Sequence, residues 1–78
     1  MKRDKLEIIR SILKICGKEG AKKTKVVYEA NLNFKTADIY LKLLMDQEMI
    51  IKEGGYYKIT AKGARLLSDI SDIRAYLQ

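Results

Sequence analysis

The sequence predicts a mainly α domain with one small β-hairpin and a C-terminal helix suited to dimerisation. Three observations lead there. Apolar residues recur at spacings of three and four over most of the chain. One Gly54-Gly55 pair separates two short runs rich in Ile and Tyr. Proline is absent, so glycines and polar caps mark every boundary.

The first helix is expected from about Lys5 to Cys16, with Asp4 as N-cap and Glu7 placed to complete a capping box. Leu6, Ile9, Leu13 and Cys16 form its stripe, widened by Ile8, Ile12 and Ile15. Gly17 or Gly20 ends it. Residues 20–23 are a connection with room for a minimal strand. Thr24 is read as the cap of a second helix, about Lys25 to Ala30, followed by the turn Asn31-Leu32-Asn33. Asn33 caps a third helix, about Phe34 to Glu48, whose core face is Ala37, Leu41, Leu44 and Met45. Residues 49–53 and 56–59 are two strands around the glycine turn. Thr60 caps the last helix, about Ala61 to Leu77. A lone hairpin is unstable in water, so this one must lie against the helices. Helix, helix, helix, hairpin, helix in that arrangement is a winged helix-turn-helix. Residues 1–63 make that domain, and residues 64–78 the C-terminal helix.

Composition narrows the function. The chain has 78 residues, room for one small core that a dimer would help to stabilise. It has no apolar run of membrane-spanning length and no secretory leader pattern, so a cytoplasmic, nucleoid-associated location is expected. Histidine is absent and Cys16 is the single cysteine, which argues against a zinc site, a cofactor and most acid–base or nucleophilic catalysis. Cys16 is expected to be a buried apolar residue, with Lys14 and Lys18 the only cations near enough to activate a thiolate.

The net charge of +6 and pI near 9.5 suit a polyanionic partner. The excess is concentrated in residues 1–30, where nine basic residues face four acidic ones, while residues 64–78 are balanced. On the third helix, the face opposite the core carries Lys35, Thr36, Ile39 and Tyr40, with Lys42 to one side. A recognition helix offers such N-terminal residues to base edges in the major groove. Asp38 and Asp46 oppose phosphate, and no arginine on this helix is available for a guanine contact. Lys22, Lys23, Thr24 and Lys25 open the second helix as a phosphate clamp. Lys52, Tyr56 and Lys58 belong to the wing, with Tyr56 and Lys58 outward and Tyr57 and Ile59 inward. Lys2, Arg3 and Lys5 are either a basic arm or a solvated terminus. On the last helix, Leu66, Ile70, Ile73 and Leu77 form a two-heptad seam, and Arg65 and Arg74 balance Asp69 and Asp72.

Several blocks carry a family resemblance. Lys5-Leu6-Glu7-Ile8-Ile9, Gly20-Ala21-Lys22-Lys23-Thr24, Tyr28-Glu29-Ala30-Asn31-Leu32, Leu43-Leu44-Met45, Tyr57-Lys58-Ile59-Thr60 and Lys62-Gly63 follow in order. The chain resembles the archaeal winged-helix DNA-binding family that includes the crenarchaeal ten-a chromatin proteins. The resemblance implies a third helix for DNA recognition, a wing on the backbone, and dimerisation through the last helix. In ten-a proteins that helix is a long antiparallel coiled coil; here it is short. The expectation is a dimeric double-stranded DNA-binding protein of modest sequence selectivity, either a transcription regulator or a chromatin-type binder. The alternative is a winged-helix module for protein–protein interaction.

Overall fold

The computed structural model describes residues 4–17 and 19–77. Lys2, Arg3 and Lys18 lie outside the described residues, as does the side chain of Arg74. The elements are α1 (Lys5–Cys16), α2 (Lys23–Glu29), α3 (Phe34–Asp46), β1 (Ile50–Glu53), β2 (Tyr56–Ile59) and α4 (Ala61–Leu77). This is the winged helix-turn-helix order read from the sequence.

Local chemistry sets the helix ends. The Asp4 carboxylate accepts from the Glu7 N–H at 2.7 Å, and Asn33 Oδ1 accepts from the Thr36 N–H at 2.7 Å. Asn31 turns left-handed after α2 with φ of 56°, and the Leu32 N–H donates back to Val27. The end of α3 repeats the device. Glu48 takes φ of 59°, and the Met49 N–H donates to the Leu44 carbonyl. The helix therefore stops at Asp46, two residues before the expected Glu48.

The start of α2 also differs from expectation. The helix begins at Lys23, and Lys22 holds the cap position without a side-chain hydrogen bond. Thr24 is inside the first turn, so its hydroxyl is not the cap. The cause lies upstream, where Ala21 pairs with Tyr57 in both directions, at 2.9 and 2.8 Å. That bridge holds the chain extended up to Lys22, and the helix starts as soon as it is released.

The hairpin pairs Ile50 with Ile59 and Lys52 with Tyr57 on one face, Ile51 with Lys58 and Glu53 with Tyr56 on the other. Its Gly54-Gly55 turn has positive φ at both residues, as a type I′ turn requires. The core joins Ile12, Leu13 and Cys16 of α1, Val26 of α2, Leu41 and Leu44 of α3, Ile50 and Tyr57. Tyr57 and Ile59 face inward, as the strand alternation predicts. Helix α4 packs on α1 and the hairpin. Ile70 is 2% exposed, so its own chain covers it and no partner subunit is needed there. Among the described residues no helix is long and apolar enough to cross a membrane.

The junction from β2 to α4 explains the run Tyr57-x-Ile59-Thr60-x-x-Gly63. Thr60 Oγ1 donates towards the Glu48 and Met49 carbonyls at 2.7 and 3.0 Å, and accepts from the Gly63 N–H at 3.0 Å. A Cβ on Gly63 would stand 2.1 Å from the Met49 carbonyl oxygen. Alanine in a helix interior ordinarily stabilises relative to glycine, but here the backbone would have to move. Gly63→Ala is expected to cost about 1–3 kcal/mol, lowering Tm by roughly 5–20 °C in a thermal melt. An unchanged or raised Tm would contradict the packing described.

Cys16 is buried, and burial pushes its thiol up to about 11. Its thiolate is scarce at neutral pH. The native protein is expected to react with a disulfide reagent at least tenfold more slowly than the urea-unfolded chain. Equal rates would place Cys16 at an accessible position.

Candidate nucleic-acid interface

Helix α3 is amphipathic in the sense needed to read a groove. Ala37, Leu41 and Leu44 are buried, and Met45 packs against the core. The opposite side exposes Lys35, Ile39, Lys42 and Leu43. Thr36 is half-buried, with its N–H held by the Asn33 cap. Tyr40 is also half-buried and rests on the core, which removes it from the outward face that the sequence suggested. Leu43 was not singled out by the pattern. The signal was available, since it follows Ile39 by four residues and is off the core arc.

Helix α2 braces α3 through an ion pair. Lys23 Nζ meets Asp38 Oδ1, and that hydrogen bond holds the Lys23 ammonium above its ordinary range. The pair has two consequences. It neutralises an acid that would repel phosphate beside the first turns of α3. It also gives Lys23 an acidic partner that a phosphate contact would have to replace, in an exposed pair of modest strength. Lys25 lies 4.0 Å from Glu29, an exposed pair of the weak i,i+4 kind. Thr24 and Lys25 are exposed on the same short helix.

The wing divides its residues between two faces. Tyr56 and Lys58 share the outward face with Ile51 and Glu53, and Lys58 Nζ meets Glu53 Oε1 at 2.9 Å. Lys52 is on the other face, its ammonium 5.5 Å from the Tyr57 ring centroid. It caps an inward aromatic and does not join Tyr56 and Lys58. Tyr56 and Lys58 are thus the outward pair that the strand alternation predicted, and Lys52 approaches from the other face.

A contact between separate elements ties the wing to α2. Lys22 Nζ stands 5.5 Å from the Tyr56 ring centroid. The chain can bring them together because Gly20 passes close to β2: a Cβ there would lie 2.8 Å from Lys58 Cγ and 3.1 Å from Tyr56 Cβ. Gly20 also has φ of +88°, a region that costs other residues strain. Among the described residues, Lys22, Lys35, Lys42 and Lys52 are in no ion pair.

The predicted dimer seam on α4 is split by the fold. Leu66 and Ile70 turn into the protein's own core, whereas Ile73 and Leu77 remain exposed. Tyr76, outside the seam, is 89% exposed beside them.

Comparison with known proteins agrees with this architecture. A crystal structure of Sso10a-2, a DNA-binding protein from Sulfolobus solfataricus, superposes with a TM-score of 0.79 at 34% identity, covering 96% of this chain and 85% of that one. An uncharacterised protein of Methanocaldococcus jannaschii is 45% identical over 73 residues, 94% of this chain. This chain spans only 35% of that relative's length. The resemblance read from the residue blocks is thus met by an independent structural likeness. A family model described as winged helix-turn-helix matches residues 2–78, nearly the whole chain. With the helical order, the hairpin and the braced third helix, that match makes the chain a member of the winged helix-turn-helix family.

Proposed function

We propose that the protein binds double-stranded DNA, with α3 in the major groove and the wing beside the backbone. The observation that carries this reading is the exposed face of α3, where Lys35 and Lys42 stand without acidic partners and flank Ile39. Lys22, Lys25 and Lys58 add positive charge from α2 and the wing, and the DNA-binding relative supports the same assignment. Lysine is a point charge that holds phosphate without much sequence discrimination. With no arginine on α3, modest selectivity follows, suited to a regulator with a degenerate site or to a chromatin-type binder. The protein acts by binding and performs no catalysis.

Binding is expected to be salt-sensitive. About five lysine–phosphate contacts give a slope of log K against log salt near minus four to minus five. Lys35→Ala and Lys42→Ala should each reduce that slope by about one. The Lys23–Asp38 pair adds a sharper expectation: Lys23→Ala costs less than Lys35→Ala, and Asp38→Asn tightens binding by freeing Lys23 and removing a repulsive charge. Salt-independent binding in a gel-shift titration, or α3 variants indistinguishable from wild type, would favour the protein-interaction reading.

We also propose a homodimer through the end of α4. Ile73, Tyr76 and Leu77 are its exposed apolar residues, and burying each is worth about 1.5–3 kcal/mol against the cost of association. A dimer would set two α3 helices on one duplex. The informative variant is Ile73→Asp with Leu77→Asp, because Ile70 is part of the monomer's own packing. Sedimentation equilibrium should give a dimer for wild type at tens of micromolar and a folded monomer for the double variant. A monomeric wild type, or a dimer that survives both changes, would refute it.

A further inference from the structure

Two branched aliphatic side chains on α3 are left substantially exposed by the fold. Ile39 is 60% exposed and Leu43 44%. Being four residues apart, they lie one above the other on a single stripe of the helix. That stripe is on the far side from Ala37, Leu41 and Leu44, which are buried. Neither helix geometry nor core packing calls for an isoleucine at 39. Alanine or lysine would serve the helix better, since Ile is β-branched and its exposed surface gains nothing in water.

The surroundings indicate what covers it. Lys35 is one turn before Ile39, and Lys42 is beside it, both exposed and both outside any ion pair among the described residues. An apolar centre with cations at its margin fits a polyanion that carries an apolar feature, and fits an apolar protein surface poorly. In duplex DNA the major groove has one such feature, the C5-methyl group of thymine.

We infer that Ile39, with Leu43 a turn behind it, reads thymine methyl groups in the major groove and so gives the protein a preference for thymine-bearing steps. This rests on the duplex-binding reading above and adds what that surface selects. It supplies selectivity of a limited kind without an arginine, because a methyl contact separates T from C and from its own demethylated form but imposes no hydrogen-bond pattern. Lys35 and Lys42 hold the backbone on either side while the aliphatic stripe faces the bases.

The test compares duplexes of one length and sequence by fluorescence anisotropy at fixed salt. One contains thymine, and one contains deoxyuridine throughout in its place. A second pair, rich in G·C, contains cytosine or 5-methylcytosine. Wild type is expected to prefer thymine over deoxyuridine by about three- to fivefold for each methyl buried, and to prefer 5-methylcytosine over cytosine. Ile39→Ala should bind the thymine and deoxyuridine duplexes equally, at the weaker of the two affinities, with an unchanged melting temperature because the side chain is exposed. Equal wild-type affinity for thymine and deoxyuridine overturns the inference while leaving DNA binding intact. So does a thymine preference that persists undiminished in Ile39→Ala with Leu43→Ala. Failure of wild type to bind any duplex overturns the DNA-binding reading itself, which separates the two conclusions.

Discussion

The short backbone pairing of Ala21 with Tyr57 is the constraint on which the other features depend. A two-stranded hairpin has too little to bury to survive in water. Here β2 gains a second neighbour: Ala21 bonds it in both directions, and the Ile59 N–H donates to the Gly17 carbonyl at 3.0 Å. Tyr57 then enters the core beside Ile12, Leu13 and Ile50. Once that edge is in place, Tyr56 must face outward, Lys22 must emerge beside it, and α2 must start at Lys23. The position of the wing relative to the helices is therefore a consequence of one bridge and one buried aromatic ring.

From that anchor the electrostatics of the surface follow. Starting α2 at Lys23 brings its ammonium onto Asp38, so the acid nearest the start of α3 is neutralised from within the protein. Glu53 and Glu29 similarly temper Lys58 and Lys25, both at exposed sites where such pairs are weak and yield readily to phosphate. Lys35 and Lys42 stay unopposed among the described residues. The net charge of +6 is thus distributed, with two uncompensated lysines, Lys35 and Lys42, on the exposed face of α3.

Much of this was legible in the sequence because local chemistry dictates it. The caps at Asp4 and Asn33, the turn at Asn31-Leu32-Asn33, the Gly54-Gly55 turn and the inward alternation of Tyr57 and Ile59 all depend on residues next to one another in the chain. The misreadings share a different cause. Glu48 ends α3 in a left-handed conformation that its residue type does not advertise. The start of α2 and the engagement of Lys23 with Asp38 depend on partners distant in sequence. Ile70 looked unsatisfied because a heptad pattern cannot tell a partner helix from α1 of the same chain.

The central claim is that the outward face of α3, supported by Lys22 and Tyr56 of the wing junction, is the surface that meets DNA. The most direct measurement is a titration of the isotopically labelled protein with a short duplex, followed by amide chemical shifts. The account predicts the largest changes at Lys35, Ile39 and Lys42, smaller ones at Lys22 and Tyr56, and none at the buried Leu13 and Ile70. Changes confined to α4, or an α3 face that remains unperturbed while the duplex is bound, would contradict it.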